Sequence, residues 1–387
     1  MKKLKQIPLL ARIILAIVLG IGVGQFAPDA VARIMNTFCG VFSSLLGFII
    51  PLIIVGLVAP AIARVGGVAG RMLVITTLLA YGFSVMSGLF SYGVSQGIFP
   101  HLLEGLSLSA LNVEGKTLAP YFTIAIPPVM DVMTALVLAF MLGLGIATSG
   151  AEVLRKGCEE FETIVTRTIS AAIIPLLPPY IFGLFLDMAC SGKVGVVLGA
   201  FIKIIAVIFL LTLTLLLLQY TIAGLVTRRN PLRLLWTMLP AYFTALGTSS
   251  SAATIPVTLQ RAKAAGVSEG VAGFVIPLCA TIHLSGSMAK ITACTLALMM
   301  LYGMPIDFVN ILGFILMLAI TMVAAPGVPG GAIMAALGVL SSIIGFDEQQ
   351  QAMMVTLYIA MDSFGTACNV TGDATIALIV DKIKERL

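Results

Sequence analysis

The chain is written mostly in long apolar runs, and the lengths of those runs predict its architecture. About 20 apolar residues suffice for a helix to cross a bilayer, and such runs recur near residues 8–26, 37–62, 70–98, 119–149, 168–190 and 194–227. The first begins MKKLKQIPLL; its apolar run is too long for a signal peptide and lacks a small-residue cleavage site, so it reads as the first span. A polar loop from Leu102 to Leu118 separates the third span from the fourth. Pro127-Pro128 and Pro178-Pro179 are expected to kink the fourth and fifth spans. Asp131 and Asp187 fall in these kinked spans, either as functional acids or as interface residues with a local partner. After Arg233 the pattern changes. Leu239–Gln260 is apolar at both ends but broken by Gly247-Thr248-Ser249-Ser250-Ser251. A full span follows over 271–301, then Ile306–Ile344 forms two more apolar arms around a break from Ala325 to Gly331. A polar-striped helix over Met353–Val380 comes last. Non-helical backbone survives at membrane depth only where protein buries it or where it lines a cavity. Two interrupted segments in matching positions therefore point to a secondary-transporter site.

Composition supports the same picture: 59% of residues are hydrophobic, 10% are charged, and the mean hydropathy is +1.12. Soluble domains carry about 25% charged residues. Recurring runs of helical length exclude a transmembrane β-barrel. The net charge of +5 calls for no nucleic-acid partner, because its distribution has a topological cause. If both interrupted segments re-enter, 17 of the 22 cationic residues share a side with both termini, which predicts cytoplasmic termini. Short loops favour a bacterial inner membrane. The six cysteines show no CxxC spacing and read as small apolar core residues.

The last helix carries the chemistry. Asp362, Thr366, Asn369 and Asp373 recur at intervals of three and four residues, which places them on one helical face. A carboxylate in hydrocarbon is costly unless something pairs with it, so two on one face mark a binding site or an ion path.

Three motifs resemble a known family: Thr248-Ser249-Ser250-Ser251-Ala252-Ala253-Thr254-Ile255-Pro256, Gly327-Val328-Pro329-Gly330-Gly331-Ala332, and Asn369-Val370-Thr371-Gly372-Asp373. In order and placement they resemble the dicarboxylate/amino acid:cation symporters, which include glutamate, aspartate and serine/threonine carriers. The resemblance implies an all-α integral membrane fold with eight transmembrane helices, two re-entrant helical hairpins and an elevator motion, assembled as a homotrimer. It assigns 1–69 and 119–193 to a scaffold of helices 1–2 and 4–5. The transport domain would then hold helix 3 with its loop (70–118), helix 6 (194–236) and the core (237–387), which comprises hairpin 1, helix 7, hairpin 2 and helix 8. It also implies that Asp362 holds a substrate α-amino group. Asn369 and the tip residues Ser250 and Ser251 would meet the α-carboxylate, under a lid made by Gly327, Val328 and Pro329. Asp373 would ligate sodium with carbonyls near Cys279, His283 and Asn369, and Thr281, Met322, Val323 and Ala325 would form a second sodium site. Oxygen ligands suit a hard cation.

The departures from the family pattern narrow the substrate. Where acidic-substrate members carry arginine, this chain has Gly365 and Ser249, so no guanidinium is present to grip a side-chain carboxylate. Asp362 is retained, which predicts a small neutral amino acid, with Ser287 and Thr366 as partners for a hydroxylated side chain. The alternative is a dicarboxylate or acidic amino acid carrier using hydroxyls and backbone amides. A channel, or an intramembrane enzyme built on Ser250 or Ser251 with His283, are the readings from other classes. The family's Asn-Met-Asp-Gly-Thr is His283-Leu284-Ser285-Gly286-Ser287 here, so a deeper cation site is expected to be lost. His283 and Lys290 share a helix face. His283 is either a proton carrier or a hydrogen-bonded core residue, and Lys290 either replaces a missing cation or snorkels. The expected ligands are thus a small amino acid, the lipid bilayer, and Na⁺ or H⁺ as the coupling ion, with no other cofactor.

Overall fold

The computed structural model describes residues 9–67, 71–106, 118–190, 192, 194–323, 325 and 330–384. Within these residues the regular structure is helical. Helices α1 (Leu9–Gly24), α2 (Asp29–Gly67), α3 (Arg71–Leu102) and α7 (Val194–Thr227) correspond to expected spans. α2 starts well before the expected boundary, with Asp29 in its first turn. Five helical stretches are long and apolar enough to cross a membrane among the described residues. The count falls short of eight because the described parts of α1 and α4 are shorter apolar helices and the last helix is broken at Met361.

The fourth span is a correction. Residues 118–131 are largely irregular and only Val132–Ser149 (α4) is helical. Pro127-Pro128 therefore lie within the irregular stretch and do not kink a helix, since proline disfavours helical backbone in the residue before it. Asp131 is the N-cap of α4, accepting from the Thr134 N–H. The polar stretch after α4 is helical as well: amphipathic α5 (Glu152–Thr168) runs through a π-turn (Ile169–Ile173) into α6 (Ile174–Cys190), which accommodates Pro178-Pro179. Asp187 on α6 accepts from Asn36 at 3.0 Å, a local partner.

Both interrupted segments resolve into helix pairs. The first is α8 (Pro231–Thr248) and α9 (Ser251–Ala264), packed together around a break at Ser249 and Ser250. The second is α12 (Phe308–Val323) and α13 (Gly331–Val339); the lid residues Gly327, Val328 and Pro329 lie outside the described residues. The seventh span is not continuous but splits into α10 (Glu269–Ile282) and α11 (Ser285–Leu301), with extended backbone at His283. The last helix splits at Met361 into α14 (Glu348–Ala360) and α15 (Asp362–Lys384). Helices α1, α2, α4, α5 and α6 pack mainly on one another, whereas α3, α7, α8, α9, α10 and α11 gather around α15. α15 is buried almost throughout, polar stripe included.

Candidate functional site

Both helix-pair breaks converge on the N-terminus of α15. At the first, Ser249 adopts a left-handed conformation (φ 50°) that reverses the chain, and its hydroxyl lies 2.7 Å from that of Ser363. Ser250 caps α9 by accepting the Ala253 N–H, and Ser251 is buried just inside the helix. At the second, Gly330 (φ 74°) donates its N–H to Asp362 Oδ2 at 3.0 Å. The left-handed turn there suits glycine, which lacks the Cβ that penalises it.

Asp362 Oδ1 lies 3.5 Å from Lys290 Nζ. Lys290 is fully buried and does not snorkel. Its ammonium sits 3.5 Å from the centroid of the Tyr358 ring and donates to the Tyr358 and Met361 carbonyls at 3.4 and 3.3 Å. A close helix contact brings it there. A Cβ on Gly286 would stand 2.6 Å from both the Gly365 carbonyl oxygen and Cys368 Cβ, so α11 and α15 approach too closely there for a side chain. One turn further along α11, Lys290 Nζ fills the space beside Gly365, 2.8 Å from where a Cβ would be. The position lacking arginine thus has a cation beside it, supplied by another helix.

Asn369 ties the same helices together. Its Oδ1 accepts from the Gly286 and Ser287 N–H groups at 2.7 and 3.3 Å, capping α11, and its Nδ2 donates to Ser287 Oγ. Ser287 Oγ lies 2.9 Å from the Tyr358 hydroxyl. Thr366 donates to the Asp362 carbonyl.

Deeper in the bundle, Asp373 Oδ1 lies 2.9 Å from His283 Nδ1, both groups fully buried. Gln219 of α7 presses on the same place: a Cβ on Gly372 would meet Gln219 Oε1 at 2.6 Å and His283 Cε1 at 3.0 Å. Among the described residues, Gln219 Oε1 and Nε2, Ser285 Oγ, Thr371 Oγ1 and His283 Nε2 are buried without a hydrogen-bond partner. No cluster of three or more His, Cys, Asp or Glu occurs among them. One carboxylate with several neutral oxygens is a donor set for a hard monovalent cation, not for a transition metal. The Cys279 carbonyl already accepts the His283 N–H, the Thr281 hydroxyl turns to the Leu278 carbonyl, and the Met322 carbonyl accepts from Ala325. Val323 is half-buried at the end of α12.

The sequence model of the sodium:dicarboxylate symporter family matches residues 9–383, nearly the whole chain. The chain belongs to that family. Two relatives are serine/threonine transporters SstT of Acinetobacter baumannii, from strains ATCC 17978 and AYE. They are 28% and 27% identical over 393 and 392 residues, covering 97% of this chain and 97% of each relative. The protein is accordingly a multi-pass, cation-coupled symporter and not an enzyme. Against its family membership, the residues that hydropathy alone overlooked stand out. Gln219 is an isolated amide directly after the run Leu215–Leu218, a polar residue in hydrocarbon that the same rule used for Asp362 would have flagged. Tyr358 and Ser363 carry no such signal, because they lie in the site only once the chain breaks at Met361.

Proposed function

We propose that this symporter imports a small neutral amino acid of the serine, threonine and alanine class, coupled to Na⁺. One observation carries the substrate class: Asp362, at the meeting point of both hairpin tips, faces a buried ammonium from Lys290. The pair is neutral as a unit, so a zwitterion adds no uncompensated charge to a buried site, whereas a second carboxylate on the substrate adds one. Lys290 also takes the space beside Gly365, the position where acidic-substrate members of the family carry arginine. In this reading the substrate α-ammonium goes to Asp362, and its α-carboxylate meets the tip around Ser250 and Ser251 and the Asn369 amide. Ser287 and Thr366 lie beside the side chain, and Gly327, Val328 and Pro329 form the lid. The named activity of the relatives agrees with this substrate class.

Asp373, with carbonyls near Cys279, His283 and Asn369, would carry the sodium ion, and Thr281, Met322, Val323 and Ala325 would form a second sodium site. The contact between His283 and Asp373 favours a second reading for the coupling ion, in which His283 carries a proton. Transport would proceed by an elevator motion of α3 and α7–α15 (residues 70–118 and 194–387) against a scaffold of α1, α2 and α4–α6 (1–69 and 119–193). The carrier would sit as a homotrimer in a bacterial cytoplasmic membrane with both termini inside.

The test is uptake of radiolabelled serine, alanine and aspartate into proteoliposomes, with sodium and proton gradients imposed separately. Accumulation of serine or alanine that requires inward sodium is expected. Accumulation driven by protons without sodium replaces Asp373-bound sodium with His283. Aspartate as the sole substrate overturns the neutral class.

A further inference from the structure

We propose that Lys290 is a resident stand-in for the substrate's ammonium, balancing Asp362 in the unloaded carrier so that the carrier can cross the membrane empty. The inference rests on the reading above, in which Asp362 receives the substrate α-ammonium. A symport cycle has a loaded crossing and an empty return, and Asp362 must make both. A buried carboxylate whose partner has been taken away is strongly destabilised. Here the chain itself supplies the partners, Lys290 Nζ on one oxygen and the Gly330 N–H on the other.

The surroundings of Lys290 also let it release Asp362. Its ammonium touches the Tyr358 and Met361 carbonyls, which the break between α14 and α15 leaves at the C-terminal end of α14. Helix C-termini attract cations. The Tyr358 ring face, 3.5 Å away, is a second cation partner. When a substrate ammonium occupies Asp362, Lys290 keeps a berth on these groups, within the space that the missing Cβ of Gly365 leaves open. Lys290 thus acts through Asp362 and is a positioning residue, not a substrate ligand.

The experiment compares net uptake into empty proteoliposomes with exchange into liposomes preloaded with the same amino acid. Exchange uses only loaded crossings, while net uptake also needs the empty return. In Lys290→Gln, the ratio of net uptake to exchange is expected to fall by about tenfold or more. A ratio equal to that of the wild type overturns the inference, and so does a parallel loss of both activities in a variant that still folds by gel filtration. Should Lys290→Gln fail to fold, Gly365→Ala displaces the ammonium without removing its charge, and a smaller fall in the same ratio is expected. An unchanged ratio there overturns the inference as well. Wild-type liposomes that exchange none of serine, alanine or threonine overturn the neutral amino acid reading and this inference with it. A normal wild-type exchange rate with an unchanged variant ratio overturns the inference alone.

Discussion

α15 presents two buried carboxylates, and each is met from the broken α10–α11 segment, yet the two environments differ. Asp362 is met by a primary ammonium and by the Gly330 N–H at the start of α13, while the Ser249 hydroxyl at the first break reaches the neighbouring Ser363. Asp373 is met by one imidazole nitrogen, and beside the adjoining Gly372 the Gln219 amide and the other nitrogen of His283 have no hydrogen-bond partner among the described residues. Buried polar atoms in native proteins are almost always satisfied, so a cluster that is not marks where something else binds. One acid is closed by its own chain and the other is left open. In the function proposed above, the acid whose charge is already balanced takes the substrate and the other takes the cation.

The largest effect is expected at Asp362. Asp362→Asn removes the partner of the substrate ammonium and strands Lys290 in the core, a loss of about 3–5 kcal/mol when one member of a buried pair is removed. Uptake and exchange should both fall below detection, and the detergent-solubilised protein should melt earlier. Exchange of serine close to the wild-type rate would erase the distinction between the two acids. Next comes Asp373→Asn, which should raise the sodium concentration for half-maximal uptake by about tenfold or more, since the carboxylate is the one formal charge in its donor set. Serine affinity at saturating sodium should stay close to that of the wild type. A variant in which both quantities move together would mean that the two regions form one site. His283→Gln should do less, because glutamine can still donate to Asp373. Sodium-driven accumulation is expected to persist, and its loss together with a loss of proton-driven accumulation would assign coupling to the imidazole.

The polar face of α15 was legible in the sequence because helical spacing survives any packing: Asp362, Thr366, Asn369 and Asp373 all lie in one helix. The break at Ser249-Ser250 was legible too, from a run of residues that prefer turns and caps. The breaks at His283 and Met361 were not, since the signals beside them, Ser285-Gly286 and Asp362-Ser363, lie within apolar runs long enough to read as unbroken spans. There, tertiary partners hold the backbone in place: Asn369 supplies the cap of α11, and Lys290 donates to the Tyr358 and Met361 carbonyls beside the break. In the sequence Lys290 stands between two readings for the same reason. Position in an apolar run suggests snorkelling, and only the glycine-to-glycine approach of α11 and α15 reveals a cavity that holds an ammonium. The fourth span failed differently, because hydropathy counts residues 119–131 as apolar although Pro120, Pro127 and Pro128 deny them a helix.

The smallest effects make the sharpest comparison, because two glycines of α15 adjoin the two acids in parallel fashion. A Cβ on Gly365 meets Lys290 Nζ at 2.8 Å, and a Cβ on Gly372 meets Gln219 Oε1 at 2.6 Å. Both contacts are with the far ends of flexible side chains, so each alanine should be accommodated by a shift of its neighbour. Alanine is also the better helix former by about 1 kcal/mol, which offsets part of the crowding and should leave the melting temperature nearly unchanged. What moves is function, and it should move in opposite places. Gly365→Ala is expected to weaken serine binding a few-fold at saturating sodium and to leave the sodium half-saturation alone, because it disturbs the Lys290–Asp362 pair. Gly372→Ala is expected to raise the sodium half-saturation a few-fold and to leave serine affinity alone, because it disturbs Gln219 and His283 beside Asp373. Titrations of serine and sodium on the two variants, read as a pair, decide it. A crossed result, in which either alanine shifts both ligands equally, would show that the helix between the two acids transmits strain along its length.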